Sequence, residues 1–412
     1  MLQGSNGFNM AKVSVYIHIP FCASRCNYCD FNTYVGKEEL ISPYINALCE
    51  EIRKVASHCS KGLEINTVYF GGGTPSLIPP QFIQKILTSL KRNFLLREKP
   101  EITIEVNPGT ISPNALQQIN DMGINRLSVG MQSANQEELY LLGRRHNYMD
   151  VVKTVELARQ AGISNINLDL IFGIPYQIST FWQKSLEKAL LLKPEHLSLY
   201  ALTIEEGTPL ANRIAEKSIS EPDDDDAAEM YEWAERSLEG EGFDQYEISN
   251  WAKCDPLIDF RCQHNLQYWH NLPYFGFGAG AHGYYNQQRW ENEKGILSYI
   301  NAIKKSDKRV DSIYPAARIC RKINSKLEMQ ETIMMGLRLV KEGISFSNYY
   351  KRFGVSLLDV YDKEVIRLRQ IGLLRVDDEG KRLVLTDRGK LLGNQVFMAF
   401  LDLIVGEDCC LS

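Results

Sequence analysis

An alternation running through the first half of the chain constrains its fold most. Six short β-rich apolar runs lie at residues 13–19, 67–70, 101–106, 126–129, 165–171 and 196–202. Amphipathic stretches at 43–57, 80–92, 112–122, 150–161 and 180–192 separate them. Strand–helix repetition of this kind builds parallel βαβ units, the α/β class. Six units predict an incomplete (β/α)6 barrel, with a doubly wound sheet as the second architecture. In a parallel barrel every strand end opens on one face, and that face carries the site. Here each end is polar or glycine-rich. Gly71-Gly72-Gly73-Thr74-Pro75 follows the second run, Glu105-Val106-Asn107-Pro108 closes the third and Gly130-Met131-Gln132-Ser133 the fourth. Asp169 lies within the fifth run, and Glu205-Glu206-Gly207 follows the sixth. Packing alone does not ask for such ends, so this face is expected to bind a ligand.

The first run leads into Cys22, Cys26 and Cys29, spaced C-x3-C-x2-C on one short loop. Three thiolates from such a loop can hold three irons of a [4Fe–4S] cubane and leave the fourth open. Zinc is the rival, although a structural zinc site takes four ligands and no second cysteine pair follows, His18 being a conceivable fourth. Three consecutive glycines at 71–73 expose strand-edge backbone groups; the stretch has neither G-x-G-x-x-G nor the lysine of a phosphate-binding loop.

Composition narrows the class. At 412 residues, 44% hydrophobic and 24% charged, the chain has the make-up of a soluble globular protein of about two domains. A formal net charge of −5 gives no general attraction to nucleic acid or anionic membrane. Residues 1–11 read as a disordered tail without the basic and apolar regions of a signal peptide. The ten cysteines form no secreted-type framework, which fits a reducing, cytoplasmic location. Cys49 and Cys59 follow an apolar stripe and are expected in the core, while Cys409 and Cys410 read as incidental.

The barrel is expected over residues 12–303 and a second, helical domain over 304–412. In the latter, helices at 327–340 and 357–371 precede a hairpin at 373–376 and 382–385 and a last helix at 387–400, a winged-helix-like pattern. From Lys304 onward 20 Lys and Arg face 15 Asp and Glu, too mild an excess for a phosphate-binding surface. A lid over the barrel mouth is the expected role. Asp223 to Asp226 read as a helix start, where carboxylates suit the dipole.

The cysteine spacing resembles that of the radical S-adenosylmethionine (SAM) superfamily. From residue 13 to about 401 the chain resembles the oxygen-independent coproporphyrinogen oxidases. That resemblance implies SAM on the open iron, contacted by Tyr16 and Tyr28. Gly72, Gly73 and Thr74 would hold its methionine end, and Glu105, Gln132, Arg144 and Asp169 would line the rest. The plainer reading of Arg144 is a solvated helix-end cation, and of His146 a surface or capping histidine. Two departures from the oxidases matter: Phe31 stands where they carry a further cysteine, and only a short segment precedes the cluster loop. Both match a sister group, the HemW-type haem chaperones, whose H-N-x-x-Y-W motif is present as His264-Asn265-Leu266-Gln267-Tyr268-Trp269.

The resemblance therefore implies haem as a third bound group, His264 as its ligand and delivery to an acceptor protein such as a respiratory haem protein. His270, His282 and Cys262 remain alternative ligands, and the plainer reading of His264 is a hydrogen-bonded histidine inside a packed loop. An electron donor is implied if SAM is cleaved, with no nucleic-acid partner, and membrane contact only through the acceptor. Coproporphyrinogen oxidase activity is not expected. Radical decarboxylation of coproporphyrinogen, radical chemistry on another tetrapyrrole and transcriptional regulation are the competing functions.

Overall fold

A computed structural model of the chain describes residues 12–59, 63–306 and 313–401. The tail expected at 1–11, and Cys409 and Cys410, lie outside the described residues. Six parallel strands form in sequence: β1 (Lys12–Ile19), β2 (Glu64–Gly72), β3 (Leu95–Val106), β4 (Arg126–Gln132), β5 (Asn165–Phe172) and β6 (His196–Ala201). Between them run α1 (Ile41–His58), α2 (Pro80–Asn93), α3 (Pro113–Asp121), α4 (Gln136–Leu141), α5 (Tyr148–Gln160) and α6 (Ser179–Leu191). The starts of α3, α4 and α5 follow from side chains that accept orphaned backbone N–H groups. Ser112 caps α3 ahead of Pro113, and Asn147 with Asp150 closes a capping box on α5.

After β6 come α7 (Pro209–Ala215), α8 (Asp224–Gly240), β7 (Phe243–Glu247), β8 (Asn250–Lys253) and α9 (Gln263–Trp269). Asp223 caps α8 by accepting from the N–H groups of Asp225 and Asp226, as the acidic run implies. Then follow β9 (Tyr274–Phe277), β10 (His282–Tyr285), β11 (Gln288–Asn292) and β12 (Ala317–Lys322). The strand order is β12-β11-β10-β9-β1-β2-β3-β4-β5-β6-β8-β7. β1 to β6 lie side by side in chain order, with β9 parallel beside β1, so no reversal of order occurs and the doubly wound alternative is set aside. The large sheet continues through β12, past the boundary expected at residue 304.

The strands alternate more strictly than their apolar runs imply. On β1, Val13, Val15, Ile17 and Ile19 are fully buried in the main core, each worth about 1.5–3 kcal/mol of burial. Ser14, Tyr16 and His18 take the other face. Ser14 lies opposite Thr67 and Tyr16 opposite Tyr69 in the parallel register. Thr103, Glu105, Arg126, Ser128, Asn167, Asp169, His196 and Ser198 continue this second face around the sheet. One side of the parallel sheet is thus an apolar layer under helices, and the other is a column of polar groups.

The C-terminal unit has its own core, built from Ile333, Leu357, Val365, Leu374, Leu383 and Phe397 among others. Its three-stranded sheet adds Ile344–Ser345 to the expected hairpin of Leu374–Val376 and Arg382–Leu385. The single helix expected at 387–400 is two, Asp387–Leu391 and Gly393–Met398, because Leu392 leaves helical geometry at φ −103° and ψ 27°. Arg352 donates to the carbonyls of His270 and Asn271, and the Ile248 N–H donates to the Arg338 carbonyl. These contacts dock the unit on the end of α9 and on the β7–β8 turn. It lies beside α9 rather than over the strands' C-terminal ends, so the expected lid is not what its contacts describe.

Candidate functional site

The cysteine loop leaves β1 at Ile19 and is held from both sides. Asn27 donates through its side chain to the Leu141 carbonyl at 2.8 Å and through its N–H to the Leu142 carbonyl at 3.0 Å. Its own carbonyl accepts from the Leu210 N–H. On the other side the Gly73 N–H donates to the Ile19 carbonyl and the Thr74 N–H to that of Phe21. A Cβ at Gly73 would come within 2.7 Å of the Phe21 oxygen and 2.9 Å of Cys22 Sγ, so only glycine lets β2 approach this closely. Cys22, Cys26 and Cys29 are free and half-buried. Burial pushes the Cys29 thiol up to about 11, and Cys26 beside it adds to the rise.

Two of the sulfurs close a hydrogen-bonded circuit. Thr74 Oγ1 donates to Cys22 Sγ at 3.7 Å and accepts from Asn107 Nδ2 at 2.8 Å. Asn107 Oδ1 accepts from Arg144 Nη2 at 2.8 Å, and Arg144 Nη1 donates to Cys26 Sγ at 3.5 Å. Arg144 also donates to the Gly130 carbonyl, so it is no solvated helix-end cation. His146 is likewise buried, bonded to the Met131 carbonyl at 3.0 Å, and not a surface group. Asn107 was not singled out from the sequence, although it stands two residues from Glu105 and so on the same strand face. A single zinc would need sulfurs about 4 Å apart, given Zn–S distances near 2.3 Å. Among the described residues no three His, Cys, Asp or Glu side chains converge closely enough to hold one ion.

Beyond the cysteines lie the carboxylates. Glu105 accepts from Tyr69 OH at 3.0 Å and from the Gly72 N–H at 3.1 Å. Asp169 accepts from Ser128 Oγ at 2.9 Å and Asn167 Nδ2 at 2.8 Å. Both sit deep in the concave strand-end face while keeping part of their surface open. Burial pushes Glu105 up to about 7, with the nearby Asp169 charge adding, and burial raises Asp169 too. Gln132 ends β4 at φ +63°, where the ladder slips between Val129 and Gln132. A non-glycine residue in that region after a bulge re-aims its side chain. Tyr28 packs with Leu142, Ile171 and Ile174 behind the loop, and Tyr16 OH bonds His18 Nδ1 at 3.1 Å. Cysteines, glycines, carboxylates, Gln132 and Arg144 therefore gather at one set of strand ends.

His264 sits elsewhere. It lies on α9, which closes the strands' N-terminal ends: the N–H groups of Gln263 and His264 donate to Glu101, and Gln267 donates to the Lys12 and Pro273 carbonyls. The ring is 1% exposed. Thr67 Oγ1 donates to Ser14 at 2.6 Å, which leaves it to accept from His264 Nδ1 at 2.7 Å. His264 Nε2 then accepts from Tyr268 OH at 2.9 Å. Burial lowers this imidazole to about 3, with Arg126 contributing, so it is neutral. This is the hydrogen-bonded arrangement inside a packed segment.

A cavity of about 550 Å³ opens between the cysteine loop and the β9–β10 connection, lined by Arg25, Phe31, Tyr268, Tyr274, His282 and Lys294 among others. Underneath, Glu51 of α1 accepts from the Gly278 N–H at 2.9 Å, Asn292 Nδ2 at 2.7 Å and Tyr299 OH at 2.6 Å. Glu51 also escaped the sequence analysis. Among the described residues no helix is long and apolar enough to cross a membrane.

Known proteins share this fold and much of this sequence. The radical SAM superfamily profile matches residues 16–183, and the HemN C-terminal domain profile matches residues 323–392. In solved structures, coproporphyrinogen III oxidase (HemN) of Escherichia coli superposes with a TM-score of 0.79, covering 95% of this chain and 90% of that one. At 23% identity this likeness is one of fold. Heme chaperone HemW of Lactococcus lactis subsp. lactis (strain IL1403) is 34% identical over 388 residues, 94% of this chain and 97% of that protein. Heme chaperone HemW of Bacillus subtilis (strain 168) is 35% identical over 391 residues, 94% of this chain and 99% of that protein. With both lengths matched almost end to end and the radical SAM profile lying over the cysteine loop and the strand ends, the chain belongs to the HemW family.

Proposed function

We propose that the chain binds haem and passes it to an acceptor protein, and that it carries a [4Fe–4S] cluster on Cys22, Cys26 and Cys29 with exchangeable SAM at the fourth iron. The observation that carries this reading is the cysteine loop itself: three free, half-buried thiols, two tied by Thr74 and Arg144, beside a cavity with aromatic walls. The donor set fits a cubane, which wants soft thiolates and hydrogen bonds to sulfur. The names of the relatives support the haem part.

Held by Cys22, Cys26 and Cys29, a reduced cluster would supply the single electron that cleavage of SAM's sulfonium requires. The chain's own residues bind and orient. Glu105 and Asp169, two half-buried carboxylates with raised pKa values, suit a ligand bearing a sulfonium and an ammonium. Arg144 offers a guanidinium to a carboxylate, and the glycines at 72 and 73 let backbone N–H groups reach the ligand. We place an incomplete barrel at 12–303, with the strand Ala317–Lys322 extending its sheet into the 304–412 segment that carries the HemN-type domain, and the working site in the cytoplasm, where an acceptor and any electron donor would meet it.

The test is anaerobic reconstitution followed by haem titration and transfer to a haem-free acceptor, with visible and electron paramagnetic resonance spectra recorded together. Tight haem binding followed by transfer is the expected result. Absence of haem binding by the reconstituted protein, or conversion of coproporphyrinogen at an enzymatic rate, overturns the chaperone reading.

A further inference from the structure

The two edges of the large sheet, β7 and β12, are finished differently. An edge strand presents unpaired N–H and C=O groups, which natural sheets cover, shorten or interrupt. β7 is covered: four of its five residues are buried, and Asp244 is paired with Lys341 of the C-terminal unit. β12 is left open. Arg318 to Lys322 are all exposed, and neither proline nor glycine interrupts the strand. Its ladder slips only at the start, between Glu291 and Asn292, and runs in regular register from Ile319 to Lys322.

The register shows which backbone groups are free. Just past the strand the Ile323 N–H donates to the Gln287 carbonyl at 2.7 Å. Antiparallel pairs alternate between bonded and non-bonded, so Arg321 with Arg289 and Ile319 with Glu291 are the bonded pairs. The N–H and C=O groups of Cys320 and Lys322 therefore point away from β11, a donor and an acceptor at each residue. A second extended chain matches such an edge. A phosphate chain offers acceptors only and would leave both carbonyls unpaired.

The side chains select the occupant. The strand holds three cations and no Asp or Glu. Arg318 is paired with Glu291 at 3.0 Å, while Arg321 and Lys322 have no carboxylate partner among the described residues. Arg321 stands opposite Arg289, whose own charge is taken by Glu331. Ile319, 44% exposed, and Cys320 supply the apolar half of the edge. A second copy laid antiparallel over residues 318–322 would set Arg318 against Lys322 at both ends, and like charges directly opposite exclude it.

We infer that the edge of β12 is a docking strand for an extended acidic segment of a partner protein, which adds to the sheet antiparallel. Read from its N-terminus, that segment sets two acidic residues opposite Lys322 and Arg321, then two apolar residues opposite Cys320 and Ile319. Its backbone pairs with Cys320 and Lys322 give affinity, and its carboxylates fix the register. Nothing in this inference uses the haem reading.

The test uses the full chain and a labelled acetyl-Thr-Glu-Glu-Val-Val-Thr-amide peptide, read by fluorescence anisotropy and by hydrogen exchange over residues 317–322. Saturable binding that slows exchange there is expected. The same peptide N-methylated at its first glutamate and first valine, or with lysines for glutamates, should bind at least tenfold more weakly. Arg321→Glu combined with Lys322→Glu should reverse the preference between the acidic and lysine peptides. Cys320→Pro removes an outward N–H where an edge strand tolerates proline, and should lose the peptide while unfolding at the parent's denaturant midpoint. Should that variant unfold earlier, the N-methylated peptide decides. Equal binding of the N-methylated peptide, or of an oligothymidylate of the same charge, would show that the surface reads charge alone and overturn the inference. So would absence of peptide binding by the parent. Slow exchange at 317–322 in the peptide-free parent, or a dimer in sedimentation that Cys320→Pro dissociates, would show the edge already occupied and overturn it too.

Discussion

At the strands' N-terminal ends, His264, Thr67, Ser14 and Tyr268 satisfy one another, and His196 does the same with Asn167 and Tyr246. At the C-terminal ends of the same strands, Glu105, Asp169, Arg144 and the three cysteines keep open surface and unspent charge. Both regions are polar groups inside one sheet face, and Asn167 bonds into both. The difference lies in what completes them. The lower network is closed by protein groups, so its polar atoms contribute to stability. The upper one also has protein partners, but each of its groups keeps part of its surface open.

Changing any one of Cys22, Cys26 or Cys29 to serine would test this contrast most severely. Nearly all iron and sulfide should be lost, since oxygen replaces a soft thiolate, while the metal-free protein should unfold where the metal-free parent does. A full iron complement in all three variants would break the assignment of the upper end. His264→Ala should do the reverse. A cavity and an orphaned Tyr268 hydroxyl should cost about 2–5 kcal/mol in denaturant unfolding, with the reconstituted iron content unchanged.

Glu105→Gln keeps the shape and removes the charge, and should weaken SAM by roughly 1.5–3 kcal/mol, about tenfold to a hundredfold in calorimetry. The parent should also show a pH dependence. Glu105 is raised from 4.5 to about 7, so the ligand-free fold loses stability as pH rises through that window. A cationic ligand favours the ionised form, so SAM should bind more tightly as pH rises from 6 to 8, and this slope should vanish in Glu105→Gln. Asn107→Ala, which frees both Thr74 and Arg144, should lower iron retention by roughly tenfold, the lower range for a lost outer-shell partner, as read by chelator competition.

Much of the upper end was legible because its chemistry is local. C-x3-C-x2-C, the three glycines and the strand-end carboxylates each occupy a few consecutive residues, and the strand–helix alternation sets them on one face. The polar column was equally visible, since Ser14, Tyr16 and His18 alternate with Val13, Val15, Ile17 and Ile19. It was passed over because parallel strands buried on both faces are expected to be apolar throughout. Glu51 signalled itself as a carboxylate on the stripe of Ile45, Leu48, Ile52 and Val55, where only the apolar residues were read. The burial of His264 had no local signal at all. Its motif does not reveal that a threonine 197 positions away occupies its ring.

The grip of Asn27 on Leu141 and Leu142 has a consequence for how the protein is made. The thiols leave the ribosome early, but the segment that fixes their loop lies 114 positions later, and Leu210 later still. At ~5–20 residues per second that interval is about 6–23 s, during which three cysteines hang on an unshaped tether. Iron delivered in that window would meet thiols without geometry, and oxidants would meet them without shelter. Loading of the proposed cluster would therefore be a late event in the life of the chain, set by the completion of β4 and the helices after it rather than by the appearance of the cysteines themselves.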